Sequence, residues 1–469
     1  MDNSSFDFGM IGLGVMGRNL LLNVADHGFR AIGYDKDPAK GSQLEAAASP
    51  GTVVRGTSSL QEMVTRMKTP RRIMLLVPAG PIVDQVVAEL LPLLDSGDII
   101  IDGGNSHYTD TLRRIRELEG KQIHFMGMGV SGGEHGARTG PSIMPGGDPQ
   151  AWKAVRPVLE AVAARVEDEP CVAYMGRDAA GHYVKMVHNG IEYAIMQLIS
   201  EVYDLLTRAA GLDNDQLHEL FWKWNSGELQ SFLLEITSGI FLKKDDLTGN
   251  RLVDMILDKA GSKGTGKWTS QDAMDLPVPV PTIDMAVSMR DLSTYKDLRV
   301  TAANLFKPRV KTVRFGREKF IGQLHDALYC GMAISYAQGL SMLARASEEL
   351  KMDIPLRDVV RIWRGGCIIR SAMLENFARA YRKKAGLPNL LLDRRVAALV
   401  KKRAPALRRV VQRSASSRIP APGLMSALGY LDSLCSKQLP TNLIQAQRDC
   451  FGSHTYQRTD RDGTFHTEW

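Results

Sequence analysis

Lys185, His188, Asn189, Glu192 and Tyr193 stand at i, i+3, i+4, i+7 and i+8, a spacing that brings side chains onto one face of an α-helix. An amine and a carboxyl two turns apart can serve as base and acid. The intervening Met186, Val187, Ile191, Ala194 and Ile195 are apolar, so this helix is expected to be buried round most of its circumference. On an exposed helix the same stripe would be an ordinary solvated face. On a buried one each polar group needs a partner or a ligand, because leaving it unpaired costs about 2–7 kcal/mol. A lysine there works as a base near neutral pH only if burial lowers its pKa from about 10.4 toward roughly 7–8.

A second group lies near the N-terminus. Gly12-Leu13-Gly14-Val15-Met16-Gly17 follows an apolar run and opens a helical pattern. Gly12 permits a tight turn, Gly14 lets backbone N–H groups approach a pyrophosphate, and Gly17 allows close helix–strand packing. The helix N-terminus adds partial positive charge. Asp35 ends the next apolar run, where a carboxylate would accept hydrogen bonds from an adenine ribose. A purely structural glycine turn is the alternative. Three further loops, Val77-Pro78-Ala79-Gly80, Asp102-Gly103-Gly104-Asn105-Ser106 and Gly129-Val130-Ser131-Gly132-Gly133, follow apolar runs and would open on the same sheet edge. Ligands of open α/β sheets bind at that edge.

The elements that must position these groups fall into two halves. Phe6–Ile11, Ala31–Tyr34, Ile73–Val77, Asp98–Ile101 and Gln122–Met126 read as buried strands, with helices such as Met16–His27 and Val83–Leu94 between them. That alternation predicts a parallel sheet covered by helices. From Gly181 the strand signals fade and helical patterns take over, as in Val184–Ala210, Asp213–Leu220 and His325–Glu349. The expected fold class is a Rossmann-like α/β N-terminal domain plus a large all-α C-terminal domain with an extended tail. The expected domains are 1–180, 181–440 and a polar, turn-rich tail, 441–469, that lacks core periodicity and must dock on something.

At 469 residues, 44% hydrophobic and 24% charged, the chain has the composition of a globular protein of two or more domains. No apolar run reaches the roughly 18–20 residues of a membrane helix. Met1–Asp7 has neither a basic n-region nor an apolar stretch, and a cytoplasmic protein without membrane contact is expected. Fifty-nine Lys and Arg against 52 Asp and Glu leave +7, a mild bias that suits anionic small molecules as well as nucleic acid. The segment 382–413 holds eleven Lys or Arg against Asp393. No aromatic interleaving accompanies them, so a solvated helical surface is expected rather than nucleic-acid binding. Five scattered cysteines without a C-x-x-C pair give no zinc or disulfide framework and are expected to be reduced core filler, like the methionines.

Several long motifs together resemble the decarboxylating 6-phosphogluconate dehydrogenases. They are Ile100–Ser106, Val130–Glu134, Gly181–Tyr193, Lys263-Gly264-Thr265-Gly266-Lys267-Trp268-Thr269 and Gln445-Ala446-Gln447-Arg448-Asp449, and the likeness spans essentially the whole chain. The resemblance implies oxidation of 6-phosphogluconate at C3 by a nicotinamide cofactor, loss of CO2 and protonation of the enediol to ribulose 5-phosphate. It implies Lys185 as general base and Glu192 as general acid, without a metal. It implies substrate contacts from Asn105, Ser131, Gly132, Gly133, His188 and Asn189, and phosphate contacts from Tyr193, Lys263, Arg290 and the tail residue Arg448, with His454 as a further substrate residue. The implied cofactor contacts are Gly12, Leu13, Gly14, Val15, Met16, Gly17, Asp35, Lys36, Asp37, Val77, Pro78, Ala79 and Asn105. The family's tail reaches the partner's site, so a homodimer with tail exchange is implied.

Five positions depart from the family pattern. NADP-dependent members carry Asn-Arg-Thr where this chain has Asp35-Lys36-Asp37. A carboxylate there suits a 2′-hydroxyl and opposes a 2′-phosphate, so NAD is expected, with NADP the alternative. Pro78 replaces a common lysine, and Cys450 a usual tyrosine. Two rival readings stand beside this one. The first is a related β-hydroxyacid dehydrogenase acting on another substrate, which would usually lack the long helical half and the Arg448/His454 tail. The second is a non-catalytic nucleotide-binding protein, against which the intact Lys185/Glu192 pair argues.

Overall fold

Short runs of β-branched and other apolar residues set the sheet: Phe8–Ile11 (β1), Ala31–Tyr34 (β2), Val54–Thr57 (β3), Arg72–Leu75 (β4), Ile99–Asp102 (β5), His124–Ser131 (β6) and Ser142–Gly146 (β7). This computed structural model describes residues 5–312 and 316–469. Residues 1–4, on which part of the expectation about the N-terminus rests, lie outside the described residues. The strand order is β3-β2-β1-β4-β5-β6-β7, parallel throughout except for the antiparallel β6–β7 pair. The order reverses between β1 and β4, which places the topological switch, and hence a ligand crevice, at the Gly12 turn.

The structure corrects several strand expectations. The first strand begins at Phe8, two residues late, because Phe6 makes only an isolated bridge to Met67. The next-to-last parallel strand ends at Asp102, and the last runs on to Ser131. Two strands of this sheet escaped the sequence pattern, as did the separate two-residue strands Arg165–Val166 and Glu169–Pro170. β3 is a half-exposed edge strand with a single strongly apolar residue. β7 contains Pro145 and Gly146, which an edge strand tolerates and a central one would not.

The helical half is organised round one 25-residue helix, Ala180–Asp204, which continues as a π-turn, Leu205–Ala209. Nearly every residue from Ala180 to Ile195 is buried. Glycines bring the strands' backbone directly against it. A Cβ at Gly129 would lie 2.4 Å from Lys185 Cβ, and one at Gly181 would lie 2.1 Å from the Gly127 carbonyl oxygen. On the other side the 33-residue helix Arg317–Glu349 packs close, with Gly339 making room for Ile191. Arg394–Ser417 forms the basic helix. It is not wholly solvated: Arg403 is buried, pairs with Glu228 and Asp326, and lies over the Tyr329 ring.

Two further expectations are corrected. The tail holds a 12-residue helix, Thr441–Gly452, and folds back on itself around buried Asp449, which accepts bonds from the Thr455 and Thr467 N–H groups and from the Trp469 indole. Its apolar residues pack on no core, which is why no periodicity marks it. Cys171, Cys330 and Cys367 are buried filler, but Cys435 and Cys450 are exposed. Among the described residues no helix is long and apolar enough to cross a membrane.

Candidate active site

The Lys185 side chain lies at the seam between β6 and the central helix, with its Nζ 3.5 Å from His188 Nδ1. It is only 6% exposed. Burial drives its pKa below the ordinary lysine value, against the opposing pull of the Glu192 carboxylate. Glu192, two turns on, shows the opposite shift: burial raises its pKa even though Lys185 and Arg290 pull it down. Burial thus brings the titrations of the amine and the carboxyl toward each other.

His188 orders the space between them. Asn189 donates from Nδ2 to Thr265 Oγ1 at 3.1 Å, which leaves its Oδ1 as the acceptor 3.0 Å from His188 Nδ1. Nδ1 thus carries the proton, and Nε2 accepts from the Ser131 hydroxyl at 3.3 Å. Complete burial, reinforced by the neighbouring Lys185 charge, holds the imidazole neutral, with a pKa well below its ordinary value. The Trp363 ring meets the imidazole in a T-shaped contact, with centroids 5.6 Å apart.

Ser131 ends β6, and the Gly132–Gly133 turn that follows has φ of +129° and +63°. A Cβ at Gly132 would lie 2.6 Å from the Gly366 carbonyl oxygen, so only glycine lets this turn sit on the Trp363–Cys367 segment. Arg290 stacks on the Tyr193 ring, its guanidinium carbon 3.4 Å from the centroid, and also donates to the Gly261 carbonyl. Lys263 is exposed just before Gly264, which starts the Thr265–Asp275 helix. The structure thus brings Ser131, Gly132, Lys185, His188, Asn189 and Glu192 together, with Tyr193 and Arg290 adjoining.

At the sheet edge Gly17 is obligatory, since a Cβ there would lie 1.8 Å from the Gly12 carbonyl oxygen. At Gly14 a Cβ would meet nothing within 4 Å, and no side chain caps the helix Val15–Asp26 that Gly14 begins. Open space beside uncapped N–H groups fits a pyrophosphate. Asp35 accepts from the Leu13 N–H at 2.7 Å, the Asp37 N–H at 3.0 Å and Lys40 at 3.3 Å. Burial raises its pKa, but these donors outweigh it and hold the carboxyl below its ordinary value. Asp37 caps the helix Pro38–Ala46 through the Ala39 N–H, and Lys36 is exposed.

Sequence reasoning missed the groups beneath the loops. Asp102 accepts from the Gly104 N–H and from the Ser106 hydroxyl at 2.6 Å, which sets the loop carrying exposed Asn105. Buried Arg114 lies 3.6 Å from Asp102 and also binds Asp84 and the Gly80 carbonyl. It thereby ties that loop to the Val77–Gly80 loop. Only the short Asp-Gly-Gly-Asn-Ser run hinted at this. Arg448 and His454 stay in the tail, where Arg448 bonds Gln445 and the His454 ring packs on Phe451. Among the described residues no hydrogen bond or ion pair joins either to the central helix. Nor is any group of three His, Cys, Asp or Glu side chains placed to hold a metal.

Residues 7–176 match the family model described as the NAD binding domain of 6-phosphogluconate dehydrogenase. Residues 181–469 match the one described as its C-terminal domain. A Bacillus subtilis relative named 6-phosphogluconate dehydrogenase, NADP(+)-dependent, decarboxylating is 51% identical over 99% of both chains. A Lactococcus lactis relative named 6-phosphogluconate dehydrogenase, decarboxylating is 48% identical over 99% of this chain and 98% of its own. Among solved structures, Plasmodium falciparum 6-phosphogluconate dehydrogenase, studied apo, with NADP+ and with 6-phosphogluconate, superposes with a TM-score of 0.96. It is 45% identical over 99% of this chain and all of its own.

Proposed function

This chain belongs to the decarboxylating 6-phosphogluconate dehydrogenases, and from that premise we propose that Lys185 and Glu192 carry the oxidation and decarboxylation of 6-phosphogluconate to ribulose 5-phosphate. The observation that supports it most is the placement of buried Lys185 and half-buried Glu192 on one face of the central helix, with pKa shifts in opposite directions. Neutral Lys185 takes the proton of the C3 hydroxyl. A nicotinamide held at the sheet edge would supply the acceptor for the hydride from C3. The lysine, now an ammonium, sits beside the C3 ketone and draws electrons toward it as CO2 departs. Protonated Glu192 then delivers a proton to C1 of the product. Asn105, Ser131, Gly132, Gly133, neutral His188 and Asn189 hold the sugar chain, and Tyr193, Lys263 and Arg290 hold the phosphate. A phosphate monoester carries about −1.5 to −2 charge at neutral pH, which suits those cations.

The partner subunit's Arg448 and the partner subunit's His454 complete each site in a cytoplasmic homodimer. Gly12, Leu13, Gly14, Val15, Met16 and Gly17 would cradle the dinucleotide, and Val77, Pro78, Ala79 and Asn105 would add further contacts to it. Asp35 makes NAD the preferred cofactor, in contrast to the NADP(+)-dependent name of the Bacillus relative. A 2′-phosphate would meet the carboxylate, and two like charges at 4 Å repel by about 4 kcal/mol at an effective dielectric of 20. A factor of ten corresponds to about 1.4 kcal/mol.

The test is nicotinamide reduction with 6-phosphogluconate, run with NAD and NADP in parallel. A higher kcat/KM with NAD is expected, and replacing Asp35-Lys36-Asp37 with Asn-Arg-Thr should shift it toward NADP. Threonine at 37 can keep the helix cap, so the exchange leaves the Pro38–Ala46 helix in place. A higher kcat/KM with NADP in the unmodified enzyme overturns the reading of Asp35, and no reduction with either cofactor overturns the activity.

A further inference from the structure

Asp272 has no place in the chemistry above, yet it is 7% exposed and joins three elements of the site. It lies on the helix Thr265–Asp275, whose first residue holds Asn189. One carboxylate oxygen accepts from the Tyr108 hydroxyl at 2.6 Å, and the other accepts from the Tyr183 hydroxyl. Tyr108 opens the helix that follows the Asn105 loop. Tyr183 precedes Lys185 by two residues on the central helix. The two rings meet edge to face at 4.9 Å, and His107 meets Trp268 likewise at 4.7 Å. Among the described residues no cation pairs with Asp272, so two phenols satisfy this buried carboxylate. They are held as donors, because burial raises both phenol pKa values well above the ordinary tyrosine value and the Asp272 charge raises them further.

We propose that Asp272, with Tyr108 and Tyr183, is a positioning clamp that sets the register of the Asn105 loop against Lys185. Hydride transfer needs reacting atoms held at near-contact distance, and small misplacements are costly. Losing the clamp therefore lowers the chemical step more than it weakens binding. The inference rests on the proposed role of Lys185.

Tyr108→Phe keeps the ring packing and removes one donor, so it tests the idea without endangering the fold. In Tyr108→Phe and Asp272→Asn, kcat is expected to fall about tenfold, with KM for 6-phosphogluconate and cofactor Kd each changed less than about twofold. The deuterium isotope effect on kcat with C3-deuterated substrate should rise as hydride transfer becomes limiting. In an Asp272→Ala background, Tyr108→Phe should cause no further loss, since the two act as one unit. Unchanged kcat in Tyr108→Phe, additive losses in the double variant, or a loss confined to KM or melting temperature each overturn the clamp. Failure of the Lys185 assignment shows separately, as turnover that survives Lys185→Met whatever the Asp272 variants do.

Discussion

Lys185 and Glu192 are displaced from their ordinary titration in the directions that oppose their own charging. The base is competent when Lys185 is neutral, so activity is lost as pH falls through its lowered pKa. The acid is competent when Glu192 is protonated, so activity is lost as pH rises through its raised pKa. A bell-shaped kcat/KM profile follows, and a profile that rises monotonically across neutral pH would contradict the pairing. Lys185→Met preserves the buried stem but removes the proton acceptor. Turnover should fall about 10²–10⁴-fold while cofactor binding, followed by fluorescence titration, stays near normal. Turnover within a few-fold of normal would remove Lys185 from the mechanism.

Between elements, the strand-to-helix contact at Gly129 decides where Lys185 sits. Gly129→Ala places a methyl 2.4 Å from Lys185 Cβ. Overpacking of this kind costs about 1–3 kcal/mol, so a lower melting temperature should accompany a kcat loss larger than any change in KM. Further along the same helix, buried Glu201 accepts from the N–H groups of Gly423 and Leu424 at the start of Pro422–Leu434. Burial outweighs these bonds and one from Gln197, and pushes its pKa up to about 7 from 4.5. The folded state therefore holds this proton more tightly than the unfolded chain, and stability declines as pH rises between those values. The decline amounts to something on the order of 3 kcal/mol from this group. Glu201→Gln cannot titrate, so its melting temperature should vary less between pH 5 and 8 than that of the unmodified protein; parallel curves would assign the pH dependence elsewhere.

For the whole molecule the exposed apolar residues matter most. The tail presents Leu443, Ile444, Phe451 and Trp469, and the helical half presents Met274, Tyr295, Leu298 and Phe306. These are surfaces that a second copy would cover under the proposed tail exchange. Truncation before Gln445 should raise KM for 6-phosphogluconate while leaving cofactor binding intact. Mixing Lys185 and Arg448 variants should restore partial activity at subsaturating 6-phosphogluconate, because the heterodimer assembles one site with both residues. No recovery after verified subunit exchange would place Arg448 in its own chain's site.

The order of elements, the dinucleotide turn and the polar stripe from Lys185 to Tyr193 could be read from the sequence because each is local. Glycine spacing reports a turn, and a helical repeat reports a face. The antiparallel β7, the helix in the tail and the buried Arg403 were not legible. Edge strands carry Pro and Gly without penalty, the tail buries too little for a period to show, and one arginine in a basic run looks like its neighbours. The chemistry of the stripe was also undecided at that level, since the same five residues on an exposed helix would be a solvated face. Tertiary packing decided it. Glycine-lined strands on one side, and Trp363 with the helix Arg317–Glu349 on the other, remove water from Lys185 and His188. That desolvation, contributed by residues tens to hundreds of positions away in the chain, is what shifts their protonation.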